Sequence, residues 1–251
     1  MQLKSLGIAV TLMLATGLSF SSKGVVATPT SLQSGSTVKI GQTAIANRIS
    51  GDRDRAIELE RLFELGNREL EAQNYLEAIE AYDRAIKLND NLSAIWVNRA
   101  MALSALERYE EAITSYQRGL AISPESAIAW VGLGNALDDA GHPEKALEAY
   151  REALDLDPNS EMAWFNRGVT LSRLERYTEA VAAYDRALNL NPNSERSWLD
   201  RGIALLNLGN YEEAVESLDR VMRLNPNNTQ VRELLDALNG IQEARSDAAW
   251  G

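Results

Sequence analysis

The chain has no cysteine and a single histidine, His142, in 251 residues. The first absence excludes disulfides, zinc–thiolate sites, iron–sulfur clusters and thiol nucleophiles. The second leaves serine–histidine and cysteine–histidine chemistry with little to draw on. Glycines are dispersed rather than gathered into a phosphate-cradling loop. Asp155, Asp157, Asn159 and Glu161 resemble part of a calcium loop, but the glycine and the closing glutamate such a loop needs are missing. Carboxylates are numerous, yet none is singled out as half of an acid–base pair. Basic side chains are also scarce, 25 against 36 acidic ones, which gives a net charge of −11. Such a surface repels phosphate backbones and anionic headgroups, so nucleic acid is not an expected partner. The inventory points to no catalytic residue, small-molecule substrate, metal or cofactor. Aromatic residues make up 6% and there are only six prolines, but both recur at fixed intervals.

Long apolar runs are absent except at the start. Leu6 to Phe20 follows Lys4 as a mostly apolar stretch. As a helix it would reach about 22 Å, short of the roughly 30 Å hydrocarbon core of a bilayer. A charged start, a short apolar middle and the small residues of Val25-Val26-Ala27 read as a secretory signal, residues 1–27, cut after Ala27. This predicts export to a periplasm, a thylakoid lumen or the outside. The alternative is an uncleaved segment, the one route by which this chain would contact a membrane. Residues 28–52, rich in Ser, Thr, Gly and Gln, read as a flexible leader. Ser50 or Asp52 is suited to cap the helix that follows.

The remainder is periodic. Trp96, Trp130, Trp164 and Trp198 stand 34 residues apart, as do Pro124, Pro158, Pro192 and Pro226. Tyr116, Tyr150 and Tyr184 keep the interval, and so do Ala78, Ala112, Ala146, Ala180 and Ala214. Each unit reads as two helices. In the second, Ser93 to Leu106 is helix A, Glu107-Arg108 a turn and Tyr109 to Ile122 helix B. Trp96, Ala100 and Leu103 form one stripe of A, and Ala112, Tyr116 and Gly119 one stripe of B. Gly66, Ala100, Gly134, Gly168 and Gly202 are expected to face the repeated alanine of the partner helix and let the axes approach. Proline then halts helix B and pre-sets the next helix A. One pair cannot cover its own apolar face, so neighbours must stack. The tryptophans are expected in the core, each burying about 150–250 Å².

These units resemble tetratricopeptide repeats: Trp, a small residue four on, Leu seven on, Tyr thirteen on, Ala sixteen on, Tyr twenty on and Pro twenty-eight on. The resemblance implies an all-α, right-handed superhelical solenoid of antiparallel helix pairs. Its five repeats are 59–92, 93–126, 127–160, 161–194 and 195–228, within a repeat region 53–228. The first is degenerate, with Leu62, Glu69 and Asp90 in the Trp, Leu and Pro slots. The fifth has Leu218 and Val221, bulky aliphatics suited to packing on a last helix. Residues 229–245 supply that capping helix through Val231, Leu234, Leu235 and Leu238, leaving 246–251 as a tail.

The resemblance also implies that helix A lines a concave face holding an extended peptide or a partner's helix. The residue after each Trp, or after Leu62, is apolar: Phe63, Val97, Val131, Phe165 and Leu199. Two after come Asn98, Gly132, Asn166 and Asp200. Five after come Asn67, Met101, Asn135, Val169 and Ile203. Relatives that clamp a C-terminal carboxylate use lysines at such positions, and none stands here. Asn98, Asn135 and Asn166 instead suit pairing with a peptide backbone, because an amide both donates and accepts. Their other reading is as solvated polar positions. Arg99, Arg167 and Arg201 lie eighteen residues before Gln117, Asp185 and Asp219, which predicts structural contacts inside each repeat. Two functions follow: a scaffold or assembly factor binding a protein or peptide, or a component that self-associates into homo-oligomers.

Overall fold

The computed structural model describes residues 53–250. The predicted signal, the leader and the capping choices Ser50 and Asp52 lie outside them. Eleven helices make up the described chain, in A/B pairs: α1 (Arg53–Glu71) with α2 (Tyr75–Leu88), α3 (Ser93–Ala105) with α4 (Tyr109–Ile122), and α5 (Ala127–Asp139) with α6 (Pro143–Leu156). Then come α7 (Glu161–Arg173) with α8 (Tyr177–Leu190), α9 (Glu195–Leu208) with α10 (Tyr211–Leu224), and α11 (Thr229–Trp250). They fall into two compact units, α1–α6 up to Pro158 and α7–α11 from Asn159. Within each unit an A helix packs on its own B helix, and that B helix on the next A helix. The all-α repeat architecture is as expected.

Local chemistry explains the boundaries. Ser126, Ser160 and Ser194 cap α5, α7 and α9, each Oγ accepting a hydrogen bond from the amide three residues on at 3.3 Å. Asn228 does the same for α11, accepting from Val231 N at 3.1 Å. The turn inside every pair has one left-handed residue at the same slot: Gln73, Glu107, Gly141, Glu175 and Gly209. Only two of the five are the glycines that conformation favours. Helix α11 runs past the predicted end at 245 to Trp250, through Ser246-Asp247-Ala248-Ala249. No proline or glycine interrupts that stretch, and alanine is the best helix former.

The core differs from the sequence reading in its ranking. Tyr82, Tyr150 and Tyr184 are the largest fully buried side chains, whereas the four repeat tryptophans are only half-buried. The indole explains this, since its N–H requires an acceptor. Trp96 donates Nε1–H to the carbonyl of Asp90, Trp130 to that of Pro124 and Trp198 to that of Pro192, at 2.8, 2.8 and 2.9 Å. Each of these tryptophans thus ties its A helix to the turn before it.

The small-residue column is also corrected. A methyl group on Gly66, Gly134 or Gly168 would meet not the partner's alanine but the ring of Tyr82, Tyr150 or Tyr184, at 2.4, 2.4 and 2.6 Å. Where Ala100 fills that slot, the Tyr116 ring lies against Gly132 of the next A helix, 2.5 Å from where a Cβ would stand. In the fifth pair Gly202 faces Leu218 at a looser 3.2 Å. As expected, Leu218 and Val221 pack with Val231, Leu234, Leu235 and Leu238 of α11.

The arginines bridge repeats as well as bonding within their own, but not to the residues eighteen positions on. Arg99 donates Nε–H to Asp83 Oδ1 of the preceding B helix at 2.6 Å and Nη1–H to Ser115 Oγ of its own at 2.7 Å. Arg201 repeats this with Asp185 and Ser217, at 2.6 and 2.7 Å. The nearest carboxylate therefore lies sixteen residues before the arginine rather than eighteen after, while Arg201 also reaches Glu213 of its own repeat at 3.7 Å. Arg167, expected to meet Asp185, lies instead over the Trp164 ring, its guanidinium carbon 5.5 Å from the centroid.

Candidate functional site: the A-helix face

In the first unit amides and phenols join α1 to α2 and α3, and α5 to α6. Asn67 Oδ1 accepts from Tyr82 Oη at 2.8 Å and from Asn98 Nδ2 at 2.9 Å, so one side chain links α1, α2 and α3. Asn135 Oδ1 accepts from Tyr150 Oη at 2.8 Å. Burial pushes the Tyr82 phenol well above the ordinary tyrosine range; the Asn98 hydrogen bond opposes this and the Glu71 charge adds to it. That phenol therefore stays a protonated donor at neutral pH.

This geometry divides the predicted groove residues. Phe63, Val97, Asn98, Met101, Val131, Phe165 and Asn166 are buried. Asn67, Asn135, Val169, Leu199 and Ile203 are partly buried and reach the surface. Phe63 and Phe165 pack tilted on Tyr82 and Tyr184, with centroids 6.3 and 5.9 Å apart. The position after the Trp is thus largely a packing row. Asn98 is fully buried and bonded to Asn67, so neither the backbone-pairing reading nor the solvated one describes it. Asparagine at this slot looks identical in sequence whether it faces solvent or a neighbouring amide.

The sequence reading also missed residues here. Ile128, two before Trp130, is 48% exposed on α5. Arg196, the equivalent residue two before Trp198, lies over the Phe165 ring with its guanidinium carbon 4.7 Å from the centroid. One turn on, burial pushes the Asp200 carboxyl up to about 6, with the Arg196 charge opposing. Reading the position two before each Trp as a column (Ala94, Ile128, Met162, Arg196) would have exposed this set.

The fold and this A-helix face define a tetratricopeptide-repeat protein. Residues 13–249 match the family described as the cilia and flagella-associated protein 70 C-terminal domain. The chain belongs to that family. No curated protein matches it. Among solved structures it is similar to MamA residues 41-end from Desulfovibrio magneticus RS-1, at 19% identity over 72% of this chain and 99% of the other, TM-score 0.65. It is likewise similar to YrrB, described as a TPR protein with an unusual peptide-binding site, at 19% identity over 78% and 97%, TM-score 0.62. The thermophilic TPR protein TTC0263 of Thermus thermophilus matches at 18% identity over 72% and 98%, TM-score 0.54. At these identities the likeness establishes the fold.

Proposed function

We propose that the protein is a non-catalytic protein-interaction scaffold that holds a partner peptide or helix on its A-helix face. The observation carrying this reading is the scarcity of charge on two A helices of the first unit, α3 and α5, which the heavily charged α1 does not share. Arg99 is the only charged side chain in α3, and it is used in the repeat bridge; Asp138 and Asp139 are the only ones in α5. The B helices α2 and α6 carry charges throughout. Ile128 remains exposed beside partly buried Asn135 and Gly132, a surface suited to an apolar or backbone contact. YrrB, whose description names a peptide-binding site, supports the analogy.

Photo-crosslinking amino acids placed at Ile128 and Ile203 test the reading, with exposed Ala182 of α8 as control. Adducts with a discrete partner are expected from the two A-helix sites and not from α8. Equal labelling from all three positions, or none from the A helices, would reject it. Self-association is the second reading, favoured by the exposed Ile57 and Leu76 of the first pair. Sedimentation of purified chain would then show concentration-dependent growth that Leu76→Glu abolishes. We further propose export under the residues 1–27 signal. N-terminal sequencing of native protein should begin at Thr28, and an intact Met1 would overturn that.

A further inference from the structure

The arginine bridge is missing at one junction inside the first unit. Its three positions, Asp83/Arg99/Ser115 at the first junction, become Gln117, Leu133 and Ala149 at the second. A cavity of about 580 Å³ opens there between α4, α5 and α6, and all three replacements line it. That volume lies within the range of specific ligand sites. In the second unit the equivalent Arg201 lays its guanidinium over Trp198, 5.9 Å from the ring centroid, while donating to Asp185 and Ser217. Trp130, which also lines the cavity, has a leucine where that arginine stands.

We propose that this cavity is an arginine receptor: a partner's arginine side chain enters it from outside and replaces the missing internal one. The guanidinium would lie over Trp130, donate to Gln117 Oε1 and face the Glu110 and Glu148 carboxylates of the rim, while its methylene stem covers Leu133. Cationic neighbours are also present. Arg151, whose side chain is 69% exposed and 3.1 Å from Glu152, lines the cavity with Lys145 and His142. A planar fork can stack on the indole while bonding at its edge, which an ammonium cannot. The site shares no residue with the predicted groove, so it stands or falls separately from the function proposed above.

The test titrates a blocked Ala-Ala-Arg-Ala-Ala peptide into the full chain. The Trp130 indole and Gln117 side-chain amide resonances are followed, and peptides with lysine or citrulline replacing arginine serve as comparisons. Saturable shifts of both resonances are expected, with affinity in the range of roughly 1 mM for one anchoring side chain and about tenfold weaker for the other two peptides. The combination Gln117→Asp, Leu133→Arg and Ala149→Ser should rebuild the bridge, raise the melting midpoint and remove the shifts. Should that variant fail to fold, Gln117→Lys places a cation in the wall at an exposed position and should abolish the shifts alone. Equal response to citrulline, shifts surviving in a folded variant, or no response in the wild type overturns the proposal.

Discussion

Gly134→Ala isolates the contact that sets the spacing of a helix pair. The added methyl carbon would stand 2.4 Å from Tyr150 Cε1, 2.7 Å from Cδ1 and 2.9 Å from Cζ. Favourable carbon–carbon separations are roughly 3.5–4.0 Å. The ring has little room to yield, because Tyr150 is 1% exposed and its hydroxyl is held by Asn135 at 2.8 Å. Overpacking of this kind costs about 1–3 kcal/mol, and displacing the phenol adds about 1 kcal/mol for its hydrogen bond. Replacing glycine by alanine in a helix returns about 1 kcal/mol. The net loss should be about 1–3 kcal/mol, a fall of roughly 2–12 °C in the thermal midpoint for a chain of this size. Far-UV circular dichroism on heating provides the assay. Two companions fix the cause. Ala100→Gly, at the equivalent slot where the ring already lies elsewhere, should cost the helix preference of about 1 kcal/mol and about 0.8 kcal/mol for its buried methyl group. Adding Tyr150→Leu to Gly134→Ala, in imitation of Gly202 with Leu218, should make the second change cheaper than it is in the parent. If Gly134→Ala is neutral or stabilising, the close approach is not what the pair depends on.

Arg99→Met should destabilise by about 1–2 kcal/mol, because it strands buried Ser115 while half-exposed Asp83 stays solvated; urea denaturation reads this, and an unchanged midpoint would show that the bridge contributes nothing. Glu107→Gly and Glu175→Gly, at exposed left-handed positions, should each stabilise by up to about 1 kcal/mol. A loss of stability there would mean the glutamate side chains hold the turn. Asp200, raised from 3.8 to about 6, binds its proton more tightly in the folded state than in the unfolded one. Its contribution therefore favours folding below pH about 4, declines as pH rises towards 6 and then levels. Asp200→Asn should flatten that part of the stability–pH curve, measured by denaturant midpoints across the interval, and an unaltered curve refutes the assignment.

Much of the architecture was legible because the repeat prints its own punctuation. The first residue of α4 and the last were predicted as Tyr109 and Ile122, since apolar periodicity, a turn and a helix-stopping proline coincide there. Packing partners were less legible. Hydrophobic ranking put tryptophan at the centre, but a half-buried indole with an N–H to satisfy loses that place to a tyrosine clasped by glycine. Forward spacing along the chain does not find the arginines' carboxylate partners, because stacking makes the preceding B helix equally near. Asn98 was misplaced because an amide at helical spacing carries no mark of the neighbour it meets. Ile128 and Arg196 lay in an unread column. Site residues emerge when every column of the repeat is compared, since a departure from the column reveals more than agreement with it.

The tryptophan tether carries a consequence for how such a chain can change. Its acceptor is a main-chain carbonyl, as the Asp90 and Pro124 examples show, so the side chain at that corner is free to vary while the joint stays in register. What the joint does not tolerate is a change in the number of residues between carbonyl and indole. A corner of this kind behaves as a fixed-length coupling with interchangeable exterior fittings, so its surface chemistry is open to redesign without disturbing the assembly beneath.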